Sequence, residues 1–146
     1  MKNQVQIGFF MLLSVCLLMA CSQEPKPIEY GTDACHFCRM TIVDKVHGAE
    51  IVTDKGKVFK FDAVECLLNY KNDLESTEGY LFLSNYYEAP GELTEMKKAH
   101  FLISEQLPSP MGAFLTTFKT KQKIEEIKSD KGGKTYTYTE IAEKFQ

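Results

Sequence analysis

Residues 49–83 read AEIVTDKGKVFKFDAVECLLNYKNDLESTEGYLFL and decide the fold class. Two short apolar segments flank the turn signal Asp54-Lys55-Gly56-Lys57, and a longer segment whose apolar residues have helical spacing follows them. The predicted elements, in chain order, are a strand over 49–53, a strand over 58–61, a helix over 63–72 and a strand over 80–83. The order of elements in this part of the chain is therefore β-β-α-β.

The helix of this unit is expected to begin with a capping box. Asp62 and Glu65 have the spacing at which two side chains satisfy free backbone N–H groups of a first helical turn. Cys66 follows directly, beside Leu67 and Leu68. We interpret it as a buried apolar residue of the helix, because free cysteine commonly behaves as a small hydrophobic side chain.

The second half of the chain repeats this order. Its predicted elements are strands over 99–104 and 113–118, a helix over 121–131, a strand over 134–138 and a short helix over 140–145. The longer helix is followed by Gly132-Gly133, where glycine supplies the left-handed conformation that ends a helix. We therefore predict an α+β fold in which two tandem β-β-α-β units, about 35–90 and 91–146, pack as one small domain.

The composition excludes several classes of function. The chain has 146 residues, with 17 basic and 20 acidic side chains and a formal net charge of -3. This length suits one globular domain and excludes a multidomain enzyme. Because basic residues are not in excess, the chain lacks the electrostatic footprint of a nucleic-acid-binding protein. We expect no nucleic-acid partner.

The first twenty residues differ from the rest of the chain. An apolar run over 7–19 is shorter than the about 20 residues of a membrane span and is typical of an export signal. Leu18-Met19-Ala20-Cys21 is similar to a bacterial lipobox, with a plain secretory signal and a chance cysteine as the alternative. We expect residues 1–20 to be a removed lipoprotein signal peptide, Cys21 to carry palmitate-type acyl chains, and 21–34 to be a tether that becomes ordered near Ile28. The mature protein is then expected to be lipid-anchored in the bacterial cell envelope, on the extracytoplasmic side.

Metal-binding chemistry is indicated by the Cys-x-x-Cys pair of Cys35 and Cys38, which places two thiols within reach of one metal ion or of each other. Met40 follows two residues later, and thiolate plus thioether donors select Cu(I). Met111 lies between two prolines and a glycine, in a loop where a large apolar side chain is easily presented to a site. The cysteine pair and the two methionines are therefore candidate copper ligands.

Other interpretations of these residues remain open. Cys35 and Cys38 could form the redox pair of a thiol oxidoreductase, although such a pair is expected at the start of a helix and the residues after Cys38 favour a strand. Together with Cys66 and a histidine they could form a structural zinc site, which needs four ligands. The two methionines could simply fill gaps in the core.

Three motifs together resemble the NosL family, the membrane-anchored accessory lipoproteins of nitrous oxide reductase. They are Cys38-x-Met40-x-Ile42, Phe61-Asp62-x-x-Glu65-Cys66 and Pro110-Met111-Gly112-Ala113-Phe114. The resemblance spans roughly residues 35–145. The chain has Arg39 where many members have a glycine, and it adds Cys35.

The resemblance implies a Cu(I) chaperone without catalytic turnover and a tandem β-β-α-β fold. It implies Cys38 as the thiolate ligand and Met40 and Met111 as thioether ligands. Cys35 is a candidate second thiolate, and His36 is the best placed of the three histidines for the histidine ligand that the family suggests. The implied partners are copper-accepting assembly proteins at the membrane and nitrous oxide reductase itself.

Overall fold

The structure is a computed structural model that describes residues 22–146. The expected signal peptide and the expected acylation site at Cys21 therefore lie outside the described residues. Within the described part of the chain, no helix has the length and apolar character needed to cross a bilayer.

The first half forms a four-stranded antiparallel sheet. Its elements are β1 (Ala49–Val52), β2 (Val58–Phe61), helix α1 (Val64–Asn72), β3 (Leu81–Tyr86) and β4 (Ala89–Glu95). The strands lie in the order β2-β1-β3-β4, so β1 pairs with both β2 and β3. The predicted β-β-α-β order is present, and β4 adds an edge strand that was not predicted.

Strand β4 lacked a strand signal because it contains Pro90 and Gly91 and is largely exposed. Proline is tolerated in a sheet mainly on edge strands, where its missing N–H faces away from the ladder. The pairing of β4 with β3 shifts register between Asn85 and Tyr86, beside the tight turn that joins the two strands.

The second half forms a three-stranded antiparallel sheet. A 3-10 helix (Met96–Lys98) leads into β5 (His100–Ile103), β6 (Leu115–Phe118), helix α2 (Lys121–Lys131), β7 (Lys134–Tyr136) and helix α3 (Tyr138–Lys144). The strand order is β6-β5-β7. Helix α2 ends as predicted, because Gly132 has a φ of 64° and its N–H bonds to the carbonyl of Lys128.

One hydrophobic core joins the two halves. Its fully buried members come from both sheets and from helices α1 and α3, and include Ile51, Phe61, Leu67, Phe101, Leu115 and Ile141. Antiparallel sheets covered by separate helices define an α+β fold. The predicted fold class is therefore confirmed.

The predicted capping box is wrong. Helix α1 begins after Ala63, and no side chain caps it. Asp62 and Glu65 are both buried, with one oxygen of each carboxyl group left without a hydrogen-bond partner. The other oxygen of Glu65 accepts a hydrogen bond from Ser109, so this carboxyl group links α1 to a distant loop.

Residues 22–30, which we call the N-terminal strap, are packed along the first sheet. The Gln23 side-chain amide donates to the carbonyls of Thr53 (2.9 Å) and Gly79 (2.6 Å), and the Lys26 N–H donates to Glu50 (3.0 Å). Ile28 is buried in the core. The segment over 21–34 was predicted to be a tether. From Gln23 onward it contacts the domain, because its polar groups form hydrogen bonds with β1 and with the loops at the end of that strand.

Candidate metal centre

The Cys-x-x-Cys segment forms a narrow hairpin-like loop. An isolated bridge pairs Ala34 with Thr41, and the Cys35 N–H donates to the carbonyl of Met40 at 2.8 Å. Arg39 closes the turn with a φ of 67°, in the left-handed region that favours glycine. The pair thus lies in a turn and not at the start of a helix, which removes the structural basis for the oxidoreductase interpretation.

Three cysteine sulfur atoms meet beneath this loop. The Sγ atoms of Cys35, Cys38 and Cys66 all lie within 4.8 Å of one another, and we call these residues the thiol cluster. All three are free thiols; Cys35 and Cys66 are buried, whereas Cys38 is half-buried. The first turn of α1 supplies Cys66, because the loop over 34–41, which we call the thiol loop, folds over the start of this helix. The arrangement places three soft donors around one point.

Cys66 is buried as the sequence indicated, and its position in the thiol cluster also makes it a candidate ligand. Its sulfur faces the two sulfurs of the loop, 28 or more residues earlier in the chain. Its location next to Glu65, in one of the motifs that carry the family resemblance, was the one signal that could have identified it. Apolar periodicity could not, because a buried ligand and a buried packing residue occupy the same helical positions.

Hydrogen bonds concentrate negative charge on Cys35. The Cys66 thiol donates to its sulfur, as do the backbone N–H groups of Asp62 and Cys38, the latter at 3.4 Å. These donors lower the pKa of Cys35 well below its usual value. The pKa of Cys66 is raised, chiefly because it donates to Cys35, and burial raises the pKa of Cys38. Within the cluster, Cys35 is therefore the thiol that loses its proton most readily.

The histidines lie outside this group. The His36 ring packs against Phe59 and Tyr70, with centroid separations of 4.6 and 4.9 Å. Burial, with the positive charges of Arg39 and Lys57, lowers its pKa and favours the neutral ring. Among the described residues, the group able to hold a metal contains the three cysteines and no histidine or carboxylate.

His47 lies in the turn before β1, is buried and bridges the two halves. One ring nitrogen lies 2.9 Å from a carboxylate oxygen of Asp44, and the other lies 3.2 Å from the hydroxyl of Thr116 on β6. This contact makes it a structural link between the sheets. His100 is half-buried at the start of β5, as a strand residue.

The two candidate methionines lie at the surface. Met40 is 52% exposed and Met111 is 39% exposed, so neither fills a gap in the core. Met40 is two residues from Cys38, and the loop of Met111 is fastened to α1 by the hydrogen bond from Ser109 to Glu65. Both thioethers are therefore carried by loops attached to the elements that form the thiol cluster.

The donor set limits the metals that fit. Three sulfur donors suit a soft monovalent ion such as Cu(I), which accepts three-coordinate geometry. A structural zinc site needs a fourth nitrogen, sulfur or oxygen ligand, and the group of described residues offers three. The chemistry of the site thus favours Cu(I) over zinc.

Comparisons with known proteins identify the family and the fold of this chain. The NosL family model matches residues 27–145. Among solved structures, the crystal structure of the copper chaperone NosL from Shewanella denitrificans is similar to this chain, with a TM-score of 0.69 and 22% sequence identity. The match covers 82% of this chain and 96% of that one, and at this identity it establishes a common fold. A comparison with curated proteins gave no match.

Proposed function

The chain belongs to the NosL family, and from this premise we propose that it is a Cu(I) chaperone that binds one ion at the thiol cluster and transfers it to a partner without catalytic turnover. The observation that carries the proposal is the approach of Cys35, Cys38 and Cys66 to within 4.8 Å of one another. Its fold is shared with a crystallised copper chaperone.

The unequal burial of the three sulfurs suits transfer. Cys35 and Cys66 are fully buried and hold the ion from below, whereas Cys38 is reached from solvent. A three-coordinate Cu(I) can accept an incoming ligand before it loses one of its own. We propose that a partner's sulfur attacks from the side of Cys38 and that this bond is the first to break.

The thioethers of Met40 and Met111 are the proposed neutral ligands at the rim of the cluster. Their exposure leaves both sulfurs free to contact an ion as it enters or leaves. Thioether donors bind Cu(I) without adding negative charge, so they can stabilise it weakly enough for release. The packing of His36 against two aromatic rings makes it the weakest of the ligand candidates.

We propose further that the protein acts in the bacterial cell envelope. The signal-like residues 1–20 and the lipobox-like Cys21 support export followed by acylation, which gives a stable membrane anchor. The proposed recipients are copper-accepting assembly proteins at the membrane and, through them, nitrous oxide reductase.

The direct test is an anaerobic Cu(I) competition titration of residues 22–146, followed by X-ray absorption spectroscopy. We expect one Cu(I) per chain and a first coordination shell that consists of sulfur. Cys38→Ser is the matched variant, because it removes the half-buried sulfur with little change in volume; it should bind Cu(I) at least about 100-fold more weakly. A four-coordinate site that contains nitrogen and prefers zinc would contradict the proposal.

A further inference from the structure

We infer that Glu65 is a positioning residue, whose buried carboxyl group holds the loop that carries Met111 against the first turn of helix α1, beside Cys66. This loop joins β5 to β6 and covers residues 104–114, and we call it the Met111 loop. The inference rests on the proposed function, in which Met111 is a copper ligand. It identifies the side chain that keeps this ligand at the end of α1 that carries the thiol cluster.

The carboxyl group of Glu65 is buried at a place where a helix usually meets water. It lies in the first turn of α1 and is 2% exposed, yet no side chain caps this helix. Among residues 22–146 it takes part in no ion pair. A buried carboxyl group costs free energy unless hydrogen bonds compensate for its lost hydration. Its hydrogen bonds therefore decide whether it can remain inside the fold.

Residues on both sides of Met111 meet this carboxyl group. The Ser109 hydroxyl donates a hydrogen bond to one of its oxygens, and the Leu115 N–H faces the same group from the start of β6. Because β6 is an edge strand, the N–H groups on its outer side have no partner within the sheet. Glu65 thus contacts the chain before and after Met111.

A tight turn fixes Met111 relative to Ser109. The Gly112 N–H donates to the Ser109 carbonyl at 3.0 Å, so residues 109–112 form a β-turn with Met111 at its third position. Serine at the first position, proline at the second and glycine at the fourth are typical of a type I turn, and the ring of Pro110 fixes one backbone angle. Met111 therefore cannot move far from α1 while Ser109 stays bound to Glu65.

The contact links the proposed ligands Cys66 and Met111 through short segments of chain. Glu65 immediately precedes Cys66, and Ser109 precedes Met111 by two residues, which span at most about 7 Å. The Met111 side chain is 39% exposed, so packing in the core does not hold it in place. Loss of the contact should therefore free the Met111 loop while the three sulfurs of the thiol cluster keep their positions.

A second buried contact between the two halves supplies a matched control. A ring nitrogen of His47 lies 3.2 Å from the hydroxyl of Thr116, which follows Leu115 on β6 and lies outside the Met111 loop. Thr116→Val removes this contact and keeps a side chain of similar shape. If Glu65 merely joined the two halves, Ser109→Ala and Thr116→Val would have the same consequences. A positioning role predicts different ones.

Amide hydrogen exchange of residues 22–146 tests the position of the loop without any metal. Gly112 reports on the turn, because its N–H is bound to the Ser109 carbonyl. We expect exchange at Gly112 to be about tenfold faster in Ser109→Ala and in Glu65→Leu than in the natural chain, and no faster when the two changes are combined. Thr116→Val should leave this rate unchanged. Equal exchange rates in Ser109→Ala and in the natural chain would overturn the positioning role.

The Cu(I) dissociation constant tests whether this position matters to the metal. Ser109→Ala changes no neighbour of a cysteine in the chain, so the thiol cluster stays intact. We expect it to weaken Cu(I) binding by at least about threefold but no more than Met111→Leu does, and the double variant to bind no more weakly than Met111→Leu alone. Thr116→Val should bind Cu(I) as the natural chain does. Effects of Ser109→Ala and Met111→Leu that multiply would refute the positioning role.

The two measurements separate this inference from the proposed function. If exchange at Gly112 responds as expected but Met111→Leu leaves the dissociation constant unchanged, Glu65 holds the loop and the proposed role of the Met111 thioether is refuted. If Met111→Leu weakens binding but Ser109→Ala changes neither measurement, Met111 remains a ligand that Glu65 does not position. Absence of Cu(I) binding in the natural chain would refute the proposed function, and the exchange experiment, which contains no metal, would still decide what Glu65 holds.

Discussion

The hydroxyl of Ser109 donates a hydrogen bond to the carboxylate of Glu65, the residue that immediately precedes Cys66 in helix α1. Both side chains are buried, and the second oxygen of Glu65 has no partner. This contact fastens a loop of the second half to the first turn of the helix that forms the thiol cluster. Met111, two residues after Ser109, therefore belongs to the same end of the molecule as Cys66.

The methionines can be tested by changing both Met40 and Met111 to leucine. Leucine keeps most of the apolar volume, and because both side chains are exposed the metal-free melting temperature should remain within about 2 °C of the original. If the thioethers bind the ion, the Cu(I) dissociation constant should rise at least about tenfold, which corresponds to about 1.4 kcal/mol. An unchanged dissociation constant would remove both methionines from the ligand set.

The third sulfur can be tested with Cys66→Ser. Loss of one of three thiol donors should raise the Cu(I) dissociation constant at least about 100-fold, and X-ray absorption should show fewer sulfur ligands. Leu68→Val in the same buried part of α1 is the control, since it removes a methylene group and costs stability without removing sulfur. If both variants fold and bind Cu(I) as the natural chain does, Cys66 is only a packing residue.

The turn of the thiol loop can be tested at Arg39. Its φ of 67° is unfavourable for a side chain with a Cβ atom, so Arg39→Gly should leave stability unchanged or raise it by up to about 1 kcal/mol. Arg39→Ala is the matched control, because it removes the same charge but keeps the strained backbone. Denaturant unfolding should therefore find the glycine variant more stable than the alanine variant, and the reverse order would contradict the assignment of backbone strain.

The raised pKa of Glu50 predicts that the free energy of unfolding falls as pH rises. Burial raises its pKa from 4.5 to about 7, since one of its oxygens has no partner and the other accepts only the Lys26 N–H. Between these two pKa values the folded state keeps a proton that the unfolded state releases. The free energy of unfolding therefore has a contribution from this proton that is fully present below about pH 4.5 and is lost as pH rises to about 7.

Glu50→Gln should remove this loss of stability at high pH, because the amide does not ionise, while its oxygen still accepts the hydrogen bond from the Lys26 N–H. Relative to the natural chain, the variant should be more stable at about pH 8 by roughly 1 to 3 kcal/mol, and the difference should shrink toward about pH 5. Urea unfolding at the two pH values measures it, and a stability difference that does not vary with pH would refute the raised pKa.

The sequence was sufficient for the elements with strong local signals. Apolar alternation and the turn at Gly56 located β1 and β2, and Gly132 located the end of α2, because each signal depends on residues close together in the chain. Strand β4 lacked such a signal, because Pro90 and Gly91 are residues that normally indicate a turn. This edge strand forms through its pairing with β3.

The metal centre was predictable only in part. The Cys-x-x-Cys spacing identified Cys35 and Cys38 as candidate ligands. Cys66 comes close to them only because a loop packs onto a helix, and no local sequence pattern encodes that contact. The capping-box prediction failed for a related reason. Spacing matched Asp62 and Glu65 to a cap, whereas burial of the helix start directed Glu65 to Ser109 in the other half of the chain.

The core that contains Cys35 and Cys66 is completed by the last helix of the chain. Ile141 and Ala142, in the last helix, belong to the same buried group as Cys35 and Cys66. A chain is made from its N-terminus, so the cysteines emerge long before the residues that complete their enclosure. Until helix α3 has been made, the buried group to which Cys35 and Cys66 belong is incomplete. A truncation after α2 would therefore leave the three cysteines present but would remove part of the core that Cys35 and Cys66 share.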